Sequence, residues 1–365
     1  MQLYRNLIRP IFFKFDAENI HNFIVKSAKI ISPLLYTYLY LCKFKNHGSY
    51  EGRFGPQNIL GLNFKNPIGL AAGFDKNAEI IPFLSTLNFG FIETGSVTAL
   101  PNRGNDRPRI FRLIKDEALI NHMGLNNIGA NEIANNLKKI RKIQNKFSIP
   151  LPPIGVNIAK TPSLNSLKIS AEEGILDIVT SFKLLYIYAD YLTLNISCPN
   201  TSEGKVYEEL YFLSSLLKTL KSESILLSNL ESESIPKPKQ KPIFLKISAD
   251  LNFKTLDQIL DLAIDQSLSN INGFVVCNTT KIDGKGCGPS GGLSGLPLQK
   301  TSTNFVQHVY KYTEGKFPII ASGGVNSYRS YMEKIDAGAS LVQIFTSFIY
   351  EGPFVVNKIL NVNAK

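Results

Sequence analysis

Eight times after residue 60, a short apolar run stops abruptly at glycine or a small polar residue. The runs are PIGLAAG (67–73), FGFIETGS (89–96), PIGVNIAK (153–160), DYLTLNIS (190–197), PIFLKIS (242–248), GFVVCNTT (273–280), FPIIASGG (317–324) and SLVQIFTS (340–347). Runs of this length, bounded by turn residues, are strands buried on both faces, the pattern of a parallel sheet. Helical periodicity lies between most of them, as in NEIANNLKKIRKI (131–143) and TLDQILDLAI (255–264). Eight strand-helix units predict an α/β chain folded as a (β/α)8 TIM barrel over residues 51–365, with a doubly wound open sheet as the alternative. In such a barrel the polar run ends gather at the carboxyl end of the strands, where barrels place their active sites.

Two stretches interrupt the rhythm. Residues 95–124 are rich in Pro and Gly and predict a hairpin; residues 221–240 repeat Ser-Glu-Ser, turn to Lys-Pro-Lys and read as a mobile, solvated insertion. Ahead of the barrel, residues 1–50 read as a separate helical domain. Asp16 is placed to cap a helix carrying Ile20, Phe23, Ile24 and Ile31, and Pro33 is expected to end it and start a second, Leu/Tyr-rich helix. Two readings of this pair stay open: packing on the barrel, or dipping into one membrane leaflet. The most apolar stretch, 30–42, is interrupted by Pro33 and stops at Lys43, short of the about 20 residues a span requires. The amino terminus carries scattered charges and no clear export signal.

Composition narrows the partners. A formal net charge of +11 favours anionic ligands or surfaces, but no dense basic block interleaved with aromatics points to nucleic acid. The four cysteines are widely spaced and form no C-x-x-C pair, which argues against a metal site or a disulfide framework and for a reducing compartment.

The chemistry-bearing residues lie at the run ends. Gly323-Gly324 after the seventh run and Phe345-Thr346 at the eighth stand where barrels often bind phosphate, and GGLSG (291–295) adds bare backbone. Asn157, Asn195, Asn200 and Asn278 offer amides that both donate and accept, suited to a flat heteroaromatic ligand. Lys76 and Lys246 sit where a cation would stabilise negative charge added to such a ring. No G-x-G-x-x-G follows a first strand, so nothing indicates a nicotinamide site. In NISCPNT, Cys198 reads either as an inert buried thiol or as a reactive group. Ser197 shares a strand face with Asn195, but Pro199 makes a regular strand end there improbable.

Together, NPIGLAAGFDKN (66–77), GNDRPRIFRL (104–113), INHMGLNN (120–127), NISCPNT (195–201), CNTT with GGLSG, GASLVQIF (338–345) and FDAENIH (15–21) resemble the dihydroorotate dehydrogenases, in their quinone-linked, membrane-associated class. The resemblance runs over essentially the whole chain. It implies oxidation of dihydroorotate to orotate in pyrimidine biosynthesis, one FMN per chain, and a membrane quinone as electron acceptor. It also implies a monomer bound peripherally to an anionic lipid surface, on the cytoplasmic side of the cell inner membrane. The flavin positions it implies are Ala71, Ala72, Gly73, Phe74, Asp75, Lys76, Ser96, Asn157, Asn195, Lys246, Cys277, Gly295, Gly324, Phe345 and Thr346. The substrate positions are Lys76, Asn121, His122, Met123, Gly124, Leu125, Asn195, Asn200, Asn278 and Thr279. His21 and Arg112 match positions near a quinone tunnel. The family motif places the catalytic base just before the proline, at Cys198; the quinone-linked class usually carries Ser there, and the soluble classes Cys. His122 stands where Arg is frequent, and Phe345 where Tyr is. A thiol, with a reference pKa of about 8.5, accepts a proton from carbon more readily than an alcohol does. The alternatives are a dehydrogenase using a soluble acceptor such as fumarate, and a flavin-binding barrel without turnover.

Overall fold

A computed structural model describes residues 2–42, 54–162, 170–196, 210–229, 240–284 and 289–360. In chain order, a π-helical turn Tyr4–Ile8 and α1 (Arg9–Phe12) lead into α2 (Ala17–Cys42), followed by the hairpin β1 (Gln57–Ile59) and β2 (Leu62–Phe64). The remaining strands are β3 (Ile68–Leu70), β4 (Phe91–Val97), β5 (Ile110–Leu113), β6 (Ala118–Asn121), β7 (Ile154–Ile158), β8 (Tyr191–Asn195), β9 (Ile243–Ile247), β10 (Gly273–Val276), β11 (Thr280–Ile282), β12 (Gly291–Gly295), β13 (Ile319–Ser322) and β14 (Leu341–Ile344). Between them come α3 (Ile81–Ser85), α4 (Ala130–Phe147), α5 (Ala171–Tyr186), α6 (Leu210–Asn229), α7 (Phe253–Ile264), α8 (Gln299–Tyr312), α9 (Tyr328–Asp336), α10 (Thr346–Glu351) and α11 (Val355–Leu360).

All eight expected runs contain the barrel strands. β3, β4, β7, β8, β9, β10, β13 and β14 pair in parallel, each with the next, and β14 returns to β3 to close the TIM barrel. The open-sheet alternative is thereby excluded. The predicted hairpin is β5–β6, which joins β12 and β11 in a four-stranded antiparallel sheet beside the barrel mouth.

Strand periodicity divides each run into two jobs. Ile92, Leu192, Leu194, Leu245 and Val342 point outward into the core shared with the helices. The alternate residues point into the barrel, and they change character along the strand. Near the amino ends, Phe91, Tyr191, Phe244, Val275, Ile320 and Leu341 form, with Phe64 of the hairpin, a separate apolar cluster that closes the base, with Ile59 and Leu62 of the hairpin packed beneath it. One step of two further on, the inward positions become Glu93, Thr193, Lys246 and Gln343. Space for the aromatic plug comes from small residues on neighbouring strands: a Cβ at Gly155 would lie 2.1 Å from the Tyr191 ring.

Two sequence expectations change. Pro33 does not end its helix; it lies within α2, on an exposed face, where solvent can satisfy the carbonyl its missing N–H leaves unbonded. Asp16 does cap this helix, its carboxylate accepting from Asn19 N–H at 2.9 Å. Residues 221–229, expected within a mobile insertion, are instead the last turns of α6. Ser224 is buried there and accepts a hydrogen bond from Asn270, while Ile225 and Leu226 stay exposed. Residues 230–239 lie outside the described residues.

The plug predicts a cost for filling it. Gly155→Ala should lower the stability of the chain by about 1–3 kcal/mol, the usual penalty of overpacking, read from chemical denaturation beside the unaltered protein.

Candidate active site

A cavity of about 510 Å³ opens at the carboxyl end of the barrel. Its floor is polar and built by strand ends. Ser96, Asn195 and Lys246 project from β4, β8 and β9, with Cys277, Asn278 and Thr279 following β10. Gly323 and Gly324 after β13, Phe345 and Thr346 after β14, and Gly295 at the end of β12 complete one rim. Ala71, Ala72, Gly73, Phe74 and Lys76 after β3 form another, faced by Asn121, Met123, Gly124 and Leu125 from the side sheet and its following loop. The roof is different. Tyr4, Ile8, Phe12, Phe13, Ile20 and Ile24 make an apolar wall from the amino-terminal helices, and His21 and Arg112 stand in it.

The floor is oriented by one buried carboxylate. Glu93 accepts hydrogen bonds from Asn157 Nδ2 (2.9 Å), Gln343 Nε2 (2.7 Å), Thr193 Oγ1 (3.1 Å) and the Tyr191 hydroxyl (3.3 Å). Asn157 turns its NH2 toward the Glu93 carboxyl oxygens, which accept from it. The Asn157 oxygen is then left to accept from Ser96 Oγ at 2.5 Å, and Ser96 Oγ in turn accepts from Asn195 Nδ2 at 3.0 Å. Polarity thus passes from Glu93 to the amide of Asn195 at the cavity surface.

Lys76 Nζ donates to Asn126 Oδ1 at 2.7 Å, which fixes the cation against the loop following β6. Lys246 is buried at 6% exposure, an ammonium placed under the cavity by the strand's own period. Burial pushes the Cys277 thiol up to about 11, so it is protonated near neutrality and packs as a small neutral group. In the roof, His21 meets the Phe74 ring edge-on, centroids 4.9 Å apart. Burial, helped by the charge of Lys76, lowers its pKa to about 4, leaving a neutral imidazole. Arg112 donates to the Phe15 carbonyl at 2.8 Å and lies over the Phe13 ring, 4.6 Å from its centroid.

Three expected contacts lie behind the wall instead. Asn157 is fully buried between Glu93 and Ser96. The Asp75 carboxylate turns away to accept from the Glu79 and Ile80 amides, at 2.8 and 2.9 Å. His122 stacks on Phe111. Cys198 and Asn200, like Ser197, lie outside the described residues. Sequence reasoning missed Glu93, although a lone acid inside the buried run FGFIETGS demands partners. It also missed the first part of the apolar wall, readable as helical spacing at Tyr4, Ile8 and Phe12, while Ile20 and Ile24 stood on the expected helix face. No group of metal-ligating side chains occurs among the described residues.

Fold and mouth together define a barrel enzyme. Residues 56–362 match the family model described as dihydroorotate dehydrogenase. The dihydroorotate dehydrogenase (quinone) of Christiangramia forsetii is 38% identical over 365 residues, covering 98% of this chain and 97% of the relative. That of Proteus mirabilis is 35% identical, covering 98% and 99%. The crystal structure of DHODH from Eimeria tenella in complex with ferulenol superposes with a TM-score of 0.80 at 32% identity, covering 95% of this chain and 90% of that one. The chain belongs to the dihydroorotate dehydrogenase family, and the curated relatives it resembles are of the quinone-linked class.

The neutral imidazole has a consequence for acid stability. Because His21 titrates near 4 when folded and 6.5 when free, the unfolded chain binds more protons in between. Stability from this group is therefore complete above pH 6.5 and falls as the pH drops toward 4. His21→Phe, which keeps the edge contact with Phe74, should flatten that part of the melting-temperature profile.

Proposed function

We propose that this chain oxidises dihydroorotate to orotate, a step in making pyrimidine nucleotides, with FMN held across the barrel mouth and a membrane quinone as final acceptor. The observation that carries the reading is the two-sided cavity: a floor of Lys and Asn side chains faces an apolar roof formed by the amino-terminal helices. The residues present suit FMN. Bare glycine backbone at Gly295 and Gly324, with Thr346, offers amides and a hydroxyl for a phosphate, while Ser96, Asn195 and Lys246 supply donors and a cation beneath a ring. Bound there, FMN would supply a hydride acceptor. Lys246 would stabilise the negative charge that reduction leaves on the ring.

Dihydroorotate brings a carboxylate and ring amides. Lys76 would pair with the carboxylate, and Asn121, Asn195, Asn278 and Thr279 would meet the amides, as would Asn200 beyond the described residues. Met123, Gly124 and Leu125 would close over the substrate. As hydride leaves one ring carbon, a proton must leave its neighbour, and Cys198 would take it as general base. His21 and Arg112 would border the quinone path. A neutral imidazole is compatible with an apolar quinone, because a desolvated charge beside it would be costly.

The amino-terminal region, 1–50, would dock on anionic lipid at the cytoplasmic face of the cell inner membrane. Leu3, Leu7, Phe23, Ile30 and Leu34 are each more than half exposed, an apolar surface that water does not favour. No helix of the described residues is long and apolar enough to cross a membrane, which suits peripheral attachment.

A purified, yellow preparation should bleach anaerobically on adding dihydroorotate and recolour on adding a ubiquinone or menaquinone analogue. Bleaching with recolouring by fumarate alone would favour a soluble acceptor; failure to bleach would refute the dehydrogenase reading. Within that assay, flavin reduction should rise with pH through one ionisation. Cys198→Ala should stay yellow and be nearly inert, and Cys198→Ser should keep some activity with the ionisation moved to higher pH. Fast reduction in Cys198→Ala, with loss in Ser197→Ala, would assign the base to the neighbour.

A further inference from the structure

The substrate-facing segment Asn121–Leu125 is anchored, through a buried ion pair, to the helix that forms the roof. Glu18, in the first turn of α2, is 4% exposed, and Arg109, just before β5, is 5% exposed. They meet as a fork: Arg109 Nε donates to Glu18 Oε2 at 3.0 Å and Nη2 to Oε1 at 2.8 Å. Arg107 adds a bond to Oε1 at 2.9 Å from a half-exposed position. Burial acts to raise the Glu18 pKa, but the bonds and charges of the two arginines outweigh it and hold the carboxyl below the ordinary range, so it is ionised.

The guanidinium's remaining nitrogen faces the other way. Arg109 Nη1 donates to the carbonyls of Arg103 (2.8 Å) and Asn105 (2.7 Å). Asn105 carries the connection onward: its amide N–H donates to the Met123 carbonyl at 3.1 Å, and its side-chain Nδ2 to the His122 carbonyl at 2.7 Å. The backbones pack so closely that a Cβ at Gly124, whose φ is +72°, would sit 2.6 Å from Asn105 Oδ1. His122 N–H closes the loop on the Arg109 carbonyl at 3.0 Å. Met123 and Gly124, held from behind in this way, line the cavity in front.

We infer that Glu18 is a positioning residue for the substrate: docking of α2 and grip on the substrate are coupled through Glu18, Arg109 and Asn105. The inference rests on the proposed function, since it concerns the same cavity. α2 also presents His21 and Ile24 to the apolar roof, so one helix braces both the electron-donor and the electron-acceptor side. Coupling of this kind is reciprocal: a ligand on the Asn121–Leu125 segment must tighten α2 by the factor that α2 tightens the ligand.

The test uses the full-length flavoprotein and orotate, whose binding is followed by the flavin absorbance. Glu18→Gln removes the charge and half of the fork with little change of shape. Arg109→Lys keeps the charge but cannot bridge Glu18 and two carbonyls together. Lys29→Ala is the control: it removes an exposed ion pair from α2 to Glu79, 2.6 Å long, without touching Arg109. Both Glu18→Gln and Arg109→Lys should weaken orotate binding by about tenfold, the usual effect of losing a charged hydrogen bond, at unchanged flavin content. Lys29→Ala should bind orotate normally. Unchanged orotate affinity in Glu18→Gln, with only quinone reduction impaired, would overturn the inference and leave Glu18 a simple helix anchor. Equal weakening in Lys29→Ala would overturn it too. Should Glu18→Gln fail to fold with flavin, Arg109→Lys decides by the same criterion. Wild-type protein that binds no orotate would overturn the functional reading instead.

Discussion

A carboxyl group in the middle of a closed barrel cannot be left to itself, because burying a polar group without hydrogen-bond partners is costly. Glu93 is held by four donors from three strands: Asn157 on β7, Tyr191 and Thr193 on β8, and Gln343 on β14. That requirement has directional consequences. Glu93 accepts from the Asn157 NH2 and so sets that amide's orientation, which sets that of the Ser96 hydroxyl, which receives Asn195. The amides that a ligand would read are therefore set before any ligand arrives, and the entropy of orienting them is not charged to binding. The same carboxylate marks the boundary in the barrel between an apolar base and a polar mouth.

The amino-terminal segment completes the mouth rather than decorating it. Its helices supply the apolar half of the cavity, and α2 reaches past the roof through Glu18 to the arginine behind the loop following β6. An exposed apolar face and a buried ionised side chain on the same continuous helix give that helix two attachments of different physical kind. One is non-directional and scales with area; the other is a fork with fixed geometry.

The barrel was legible because burial on both faces leaves little choice of residue inside a strand, and because the runs ended where polarity was needed. Lys246 was legible for the same reason, as a charge among Phe, Leu and Ile. Asn157 stood out equally, yet it faces Glu93 and not the cavity: sequence places a residue at a strand end but does not say which polar neighbour claims it. Asp75 and His122 illustrate the same limit, one taken by backbone amides and the other by Phe111. Pro33 misled because a proline's cost depends on whether the orphaned carbonyl meets solvent, which is a tertiary fact. The Ser-Glu-Ser stretch misled because composition does not show that α6 runs on through residue 229, with Ser224 buried against Asn270. The Glu18–Arg109 pair joins residues 91 positions apart, a distance across which local pattern carries no information.

The aromatic plug at the base has an implication for traffic. With Phe91, Tyr191 and Phe244 filling the lower barrel, no small molecule can pass along its axis, and the interior is a cul-de-sac. Whatever binds in the cavity must reach it at the carboxyl end, where the lining is of two unlike kinds. One flank is polar and bounded by the side sheet, the other apolar and bounded by the amino-terminal helices. The closed base thus commits all exchange to the end of the barrel where both kinds of lining meet.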